Sequence, residues 1–478
     1  MARIAFIQEE LRDRFGVMIL SAVLKQGGHN CDVFIQEKSK DVVSDILNYH
    51  PDIIAFSTMT AGINFALNYA KKLKEKTDAF VLMGGPHPTF YPEIINEECF
   101  DAICIGEGEY AVLELANCFD KGEDFRNIKN LWLKKDGKLY KNDLRELIDT
   151  NTLPMYDREI YYDKYHELRD APTKKFFIIR GCPFNCTYCF NHALKKIYKG
   201  KGNIVRFNDI DKIITEMKDV IKKYGAKWVQ FNGDTININK EWFMELLDNY
   251  KKNIDMPFLC NVRIERVDEE MVRKMKDAKC DRVDFGVEHG DEEIRKNILK
   301  RNMTNEQIIN GGKLFNKYGI RVQTANIVGV PHETVASAMK TVKLNRQIKP
   351  ELARCFVLQP YPGTEIYDYA MEHGFLDHNY AFSKLGTGFQ IGFDGSAKGM
   401  SLNLDKHREL TNLYYFFDVL VKHKWLESII KLLIKLPPNR FFLFIHAVPI
   451  VKIDVKYQKS FKRKLSSVLG LLRIFIKK

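Results

Sequence analysis

The 478-residue sequence predicts an α/β protein with an N-terminal doubly wound (Rossmann-like) parallel sheet, then a partial (β/α)6 TIM barrel, then a small helical C-terminal region. Short apolar runs alternate with helix-periodic stretches over residues 3 to 118, and the alternation resumes at Lys174. From about Leu402 only the helical period remains. The chain is too long for one ordinary domain and apolar enough for several cores.

In the first domain, residues 1–120, the strand candidates are RIAFIQ (3–8), CDVFIQ (31–36), DIIAFST (52–58), FVLMGG (80–85) and DAICIGEG (101–108). Helical patterns such as GVMILSAVLKQ and AGINFALNYAKKLKEK separate them. Strand, helix, strand at this pitch builds a parallel sheet covered on both faces, with ligands at the carboxyl ends of the strands. Those ends read STMT (57–60), GGPHPTF (84–90) and GEGE (106–109). Small and polar residues there let a ligand approach backbone, although a glycine after a strand also simply makes a turn.

Residues 121–172 read as a connector with a hairpin, LWLKKDGKLYKN, whose Asp136-Gly137 pair is a turn signal. The barrel, residues 173–400, offers KKFFIIRG, KWVQFNGD, PFLCNVRI, RVDFGVE, RVQTANIVG and ELARCFVLQPY as strands. Amphipathic patterns such as NDIDKIITEMKDVIKKYG and TNEQIINGGKLFNKYG lie between them. Chemistry in such barrels sits at the C-terminal strand ends.

The C-terminal region, residues 401–478, holds 16 Lys and Arg against 5 Asp and Glu, so almost all of the net charge of +12 belongs to it. In HKWLESIIKLLIKL a helix sets Lys424, Glu427, Lys431 and Lys435 on one face, opposite Trp425, Ile429, Leu432 and Leu433. FKRKLSSVLGLLRIFIKK repeats the pattern. Such helices lie on anionic membranes, or cap a barrel with their lysines in water. No stretch reaches the roughly 18 apolar residues of a bilayer span. Charges interrupt the N-terminal stretch where a signal peptide needs an apolar run, and ten irregularly spaced cysteines fit a reducing compartment. The expectation is a cytoplasmic protein with peripheral contact at the inner face of the membrane.

RGCPFNCTYCFNH (180–192) places Cys182, Cys186 and Cys189 in the loop directly after the first barrel strand. Thiolates ligate iron–sulfur clusters, and three of them on a four-iron cluster leave one iron open to a substrate or cofactor. The alternatives are coincidence and a structural zinc with His192 as fourth ligand. Zinc of that kind normally closes a small independent module, whereas this loop grows out of a barrel strand.

CPFNCTYC resembles the signature of the radical S-adenosylmethionine (SAM) enzymes. The similarity continues in order through WVQFNGDTININKEWF, FLCNVRIERVDEEMVRKMKDAKC, RVDFGVEHGDEEIRKNILKR, ANIVGVPHET and LQPYPGTEIY. GGPHPTFYPE and IGEGEYAV are similar to the N-terminal domain of the cobalamin-dependent branch, which includes the class B methyltransferases. Agreement in order over roughly residues 3 to 390 is far more specific than one motif.

The resemblance implies a [4Fe–4S] cluster on Cys182, Cys186 and Cys189, with Tyr188 against adenine. It implies that Asn232, Gly233 and Asp234 hold the SAM amino group, that Glu288 meets the ribose or methionine portion, and that Arg301 partners the SAM carboxylate. Ile327 and Gly329 would line adenine. Many relatives carry two acidic residues where this chain has Gly233 before Asp234, which changes the hydrogen bonds expected there. Glu288 also has an ordinary reading, pairing with a neighbouring Arg, and Arg301 another, a solvated helix end.

The D-x-H-x-x-G sequence that supplies a cobalt-ligating histidine in many cobalamin domains is absent, and EELRDRFGVM stands after the first strand. Cobalamin is therefore expected without a protein histidine ligand, its nucleotide tail along Ser57, Thr58, Gly84 and Gly85, with Glu107 and Gly108 beside it. The alternative is a scaffold that has lost its ligand. If cobalamin binds, its upper face is expected to look across the domain boundary at SAM and substrate.

The reaction implied is cleavage of SAM to a 5′-deoxyadenosyl radical and cobalamin-dependent methylation of an unactivated carbon. Radical cyclisation, rearrangement or oxidation of a lipid or natural product is the alternative. The implied partners are a small-molecule or lipid-linked substrate and an electron donor such as a flavodoxin or ferredoxin. Substrate contacts are expected from FNHALKKIYKGKGN, QPYPGT and FSKLGTGFQIGF.

Two other classes compete. A nucleic-acid modifier would use the basic tail on phosphates. However, the transfer-RNA methylthiotransferases resemble a chain with three further N-terminal cysteines and a β-rich C-terminal domain, and Cys31, Cys99, Cys104 and Cys118 do not sit in their motifs. A non-catalytic cobalamin or iron–sulfur sensor would have no need of SAM.

Overall fold

Ile4, Ala5, Phe6 and Ile7 are all buried, the continuous burial of a parallel strand covered on both faces. They lie in β1 (Arg3–Gln8), followed by β2 (Asn30–Ile35), β3 (Ile53–Ser57), β4 (Phe80–Gly84) and β5 (Ala102–Cys104). These run parallel in the order β2-β1-β3-β4-β5. The order reverses between β1 and β3, which opens the crevice for ligands at their carboxyl ends. The hairpin β6 (Leu131–Lys135) and β7 (Lys138–Lys141) turns through Asp136 and Gly137, both at positive φ. It pairs antiparallel onto β5, so the segment expected as a connector extends the first sheet.

The computed structural model describes residues 1–377, 380 and 401–456. The segments FSKLGTGFQIGF and FKRKLSSVLGLLRIFIKK lie outside the described residues. The first unit comprises residues 1–170 with 193–206, and the second comprises 171–192, 207–377, 380 and 401–456.

The second sheet contains β8 (Thr173–Arg180), β9 (Arg206–Phe207), β10 (Trp228–Gly233), β11 (Phe258–Asn261), β12 (Cys280–Glu288), β13 (Arg321–Val328) and β14 (Leu352–Val357). Its order is β14-β13-β12-β11-β10-β8-β9, and all neighbours from β8 to β14 are parallel. Six successive strands, each beside the next, are what repeated right-handed βα units produce. The register slips at two carboxyl strand ends, between Asn232 and Gly233 of β10 and between Gly286 and Glu288 of β12, and once at the start of β11, between Phe258 and Leu259. Such bulges re-aim side chains.

The exposed edge of β14 is covered by the helix His407–Lys422: the Ala353 N–H donates to Asp418 Oδ1 at 2.9 Å. Leu410, Leu413, Phe416 and Phe417 pack there with Val328, Ala353 and Cys355. The next helix, Glu427–Leu433, corrects the amphipathic reading of this region. Glu427 does not share a solvated face with the lysines; it turns inward to Arg346 Nη1 at 2.6 Å, while Lys431 follows it at 2.7 Å. Ile430 and Ile434 face the core, whereas Trp425, Ile429 and Leu432 are exposed.

The hydrogen bonds from Lys431 and Arg346 hold the Glu427 carboxyl down from 4.5 to about 2. Because the folded pKa is the lower one, this stabilisation is complete above pH 4.5 and is lost as pH falls toward 2. Replacing Glu427 by Gln should cost on the order of 1 kcal/mol at neutral pH. The difference in thermal midpoint from the wild type should close below pH 4.5, as a pH series of melting curves would record.

Candidate active site

The cysteine loop has no regular structure of its own, and neighbouring strand ends hold it. Asp234, just past β10, accepts the Gly181 N–H on Oδ2 at 2.6 Å and the Asn191 side-chain amide on Oδ1 at 2.8 Å. One carboxylate thus ties residues on either side of Cys182, Cys186 and Cys189. Thr235 Oγ1 donates to Cys182 Sγ at 3.0 Å, and Arg263 Nη1, past β11, reaches Cys186 Sγ at 3.6 Å. The same guanidinium stacks over Phe184, 3.6 Å from the ring centroid. In the middle of the loop Thr187 donates to the Ile298 carbonyl at 2.6 Å and accepts the Ile366 N–H on its own carbonyl at 3.0 Å.

Cys182 and Cys186 are buried and Cys189 half-buried, and all three are free thiols. Burial raises the pKa of Cys182 and pushes that of Cys189 up to about 12. Thiols so raised give up their protons when metal binds. Among the described residues no three His, Cys, Asp or Glu side chains converge as a single ion would require. In a four-iron cluster each thiolate would bind a different iron. His192, the conceivable fourth zinc ligand, has Nε2 3.1 Å from the Glu365 carboxylate.

Across the strand ends, Arg301 Nη1 donates to Glu288 Oε1 at 2.8 Å and to the Tyr188 hydroxyl at 3.1 Å. Its Nη2 reaches the Gly286 carbonyl at 3.0 Å. The ordinary reading of Glu288, pairing with a neighbouring Arg, therefore describes its contact here, and Arg301 is a buried group, not a solvated helix end. Burial holds the Tyr188 phenol well above its usual pKa, so it stays neutral. The bulge before Glu288 leaves that residue at φ 61°, and a Cβ on Gly286 would overlap its carboxylate. Tyr188 packs on the apolar cluster that contains Ile327, so the two residues expected at adenine share one wall.

Gly329, at φ 81°, donates its N–H to Glu333 Oε2, as does Val330 at 3.2 Å. The other Glu333 oxygen meets His289 Nε2 at 2.9 Å, and His289 Nδ1 accepts the Asp291 N–H, which assigns the imidazole proton to Nε2. This pair, fully out of water, joins the end of β12 to the end of β13. Arg295, also fully buried, binds the carbonyls of His289 and Met303 and fixes the loop that carries Arg301.

Gly233 leaves no room for a side chain, because a Cβ there would overlap Ile179 of β8. Beside it, the buried Asn232 Nδ2 has no hydrogen-bond partner among the described residues, as does Arg301 Nε. Thr235, Arg263, His289, Arg295 and Glu333 escaped the sequence reading. Their signal was position: Thr235, Arg263, His289 and Glu333 lie within a few residues beyond a strand end.

In the first unit, Gly85 (φ 95°) lets β4 close on β3: a Cβ there would stand 2.8 Å from both the N and O of Thr58. The Ser57 carbonyl accepts Arg14 Nη1 at 2.6 Å. The space over Gly106 is taken by Tyr198, whose hydroxyl accepts the Glu107 N–H at 2.9 Å. Glu107 is paired through both oxygens with Arg206 and accepts the Ile148 N–H. Its carboxylate is thus engaged in structure, and Gly108 packs close to Cys104. Ser57, Thr58, Gly84 and Gly85 form the β3 and β4 ends of the crevice. His87 beside them is buried, its pKa lowered by burial to about 4 and its Nε2 without a hydrogen-bond partner among the described residues.

Residues 176–344 match the radical SAM superfamily and residues 13–116 match the B12 binding domain. An uncharacterized methyltransferase of Pyrococcus horikoshii is 31% identical over 343 residues, covering 70% of this chain and 73% of its own. The chain belongs to the cobalamin-binding radical SAM family. An anaerobic magnesium-protoporphyrin IX monomethyl ester cyclase of Rubrivivax gelatinosus is 26% identical over 73% of this chain and 65% of its own. The fold is shared with OxsB, a cobalamin-dependent radical SAM enzyme (TM-score 0.66, 14% identity, all of this chain and 79% of that one). It is shared also with the radical SAM methyltransferase TsrM of Kitasatospora setae (TM-score 0.65, 16% identity, 78% and 77%).

The donor set in this radical SAM chain fits the family's cofactors. Three thiols with donors already placed on two of the sulfurs suit a cluster, and unpartnered buried polar atoms on Asn232 and Arg301 suit a polar ligand. Replacing Asp234 by Ala should release the loop ends and lower iron retention or SAM cleavage about 10- to 100-fold. Replacing Thr235 by Val should leave the iron content intact and shift the cluster to a more negative potential, because a hydrogen bond to sulfur favours the reduced, more negative state. Iron analysis and a redox titration followed by electron paramagnetic resonance check both.

Proposed function

We propose that the protein catalyses cobalamin-dependent methylation of an unactivated carbon on a small or lipid-linked substrate, using SAM and an electron donor such as a flavodoxin or ferredoxin. The observation that carries this reading is the cysteine loop: three free thiols past β8, braced by Asp234, Thr235 and Arg263, in a chain whose first unit matches the B12 binding domain. When bound, the cluster supplies the electron that cleaves SAM, and cobalamin supplies the methyl carrier.

The chain's own residues then have these roles. Cys182, Cys186 and Cys189 hold iron. Asn232 and Asp234 take the amino group of SAM, with the unpartnered Asn232 Nδ2 available to its carboxylate. Arg301, fixed by Glu288 and Tyr188, orients the ribose and methionine portion, and Tyr188 and Ile327 face adenine with the Gly329 backbone. Ser57, Thr58, Gly84 and Gly85 border the nucleotide tail of cobalamin; Glu107 and Gly108 support that border from within the protein. The relation to a monomethyl ester cyclase favours one second reading, radical ring closure or oxidation on the same machinery.

The test is anaerobic. Protein produced with cobalamin, then reduced in the presence of SAM, should contain four irons and one cobalt per chain and release 5′-deoxyadenosine; replacing Cys186 by Ala should abolish that release. Label from the SAM methyl group should appear in product. Iron with SAM cleavage but no cobalt would overturn methylation in favour of the second reading, and no SAM cleavage would overturn both.

A further inference from the structure

Six of the eleven exposed large apolar side chains among the described residues fall between Trp425 and Val448, while the others are scattered singly. Scattered exposed apolar residues are ordinary; a contiguous set marks an interaction surface. Trp425 (74% exposed), Ile429 (52%), Leu432 (66%) and Leu436 (47%) recur at intervals of four, three and four, a single stripe along Lys424–Leu433 and the residues after it. Phe441, at the start of the next helix, is exposed as well (57%). The buried face of the short helix is a different one, Ile430 and Ile434 in the core against the barrel. The helix therefore carries two apolar faces, and the fold uses one.

The chemistry of the rim identifies the occupant. At helical spacing Lys424 and Lys435 flank the apolar stripe about a quarter turn away, Lys431 between them is paired with Glu427, and Arg440 precedes Phe441. Lys424, Lys435 and Arg440 make no ion pair among the described residues. The sequence beyond, residues 457–478, adds seven Lys and Arg and no acidic residue. Lysine is depleted from protein–protein interfaces, whereas a Trp and Leu stripe flanked by lysines matches the boundary between lipid headgroups and acyl chains. No described helix is long and apolar enough to cross a membrane, so attachment would be peripheral.

We propose that the Trp425–Phe441 surface docks on an anionic phospholipid bilayer, with Trp425, Ile429, Leu432 and Leu436 at the acyl boundary and Lys424, Lys435 and Arg440 against the phosphates. This placement holds whichever radical reaction the enzyme performs, and it brings the protein to where apolar substrates dissolve.

The test is co-sedimentation of the full-length protein with vesicles of phosphatidylcholine alone, and of phosphatidylcholine mixed with phosphatidylglycerol. Binding to the mixed vesicles only, weakening as salt rises, is expected. The double variant Trp425→Ser, Leu432→Ser should lose binding about tenfold or more at an unchanged melting temperature, since both side chains lie in solvent. Lys424→Glu with Lys435→Glu should lose roughly fivefold per lysine or more. No binding to anionic vesicles, or binding equal in the Trp425→Ser, Leu432→Ser variant, would overturn the proposal. Self-association in light scattering, abolished by that variant and without vesicle binding, would assign the surface to a second copy of the chain instead.

Discussion

Asp234 accepts one hydrogen bond from before the cysteine loop and one from after it, and the position of the three thiols depends on that carboxylate. The loop contains glycine, proline and asparagine and makes no ladder of its own, so its shape is imposed from outside. The residues just past β10 supply Asp234 and Thr235, those past β11 supply Arg263, and the turn at Ile298 holds Thr187. Charge-assisted hydrogen bonds to a carboxylate are among the stronger available, which suits a loop that must present three sulfurs in one arrangement.

A second constraint lies at the ends of β12 and β13. His289 and Glu333 are buried together, and Glu333 spends its second oxygen on two consecutive backbone N–H groups. Breaking such a pair leaves a charge without a partner, so the geometry it sets is held tightly. Arg295 adds a buried guanidinium that bonds to backbone carbonyls on both sides of the loop bearing Arg301. Tyr188, Arg301 and Glu288 therefore stand as one hydrogen-bonded group, held in a single arrangement by the protein itself.

Small residues at strand ends have more than one use. Gly85 is required because two strands approach each other at backbone distance, and Gly106 because Tyr198 lies over it. In both places the space a side chain would take is filled by the protein's own chain, while Ser57, Thr58, Gly84 and Gly85 form the β3 and β4 ends of the crevice. Gly233 likewise yields its Cβ volume to Ile179. At these glycines the absence of a side chain is a packing requirement.

The sequence by itself determined the strand series, the parallel order that follows from repeated βα units, the three thiols and the family, because periodicity, spacing and motif order are local or collinear properties. It also singled out Asp234, Glu288 and Arg301, which the structure brings against the cysteine loop or its Tyr188. Only the tertiary structure decided what each side chain does there: that Asp234 spans the cysteine loop, that Glu288 and Arg301 pair with each other, that Glu107 is held by Arg206, and that Trp425 and Leu432 face solvent while Ile430 faces the core. The partners in these contacts are separated by up to 99 residues in the chain. No local pattern records which of several compatible charges or apolar faces will meet once the sheets have formed, since that choice is made by desolvation and packing in the folded state.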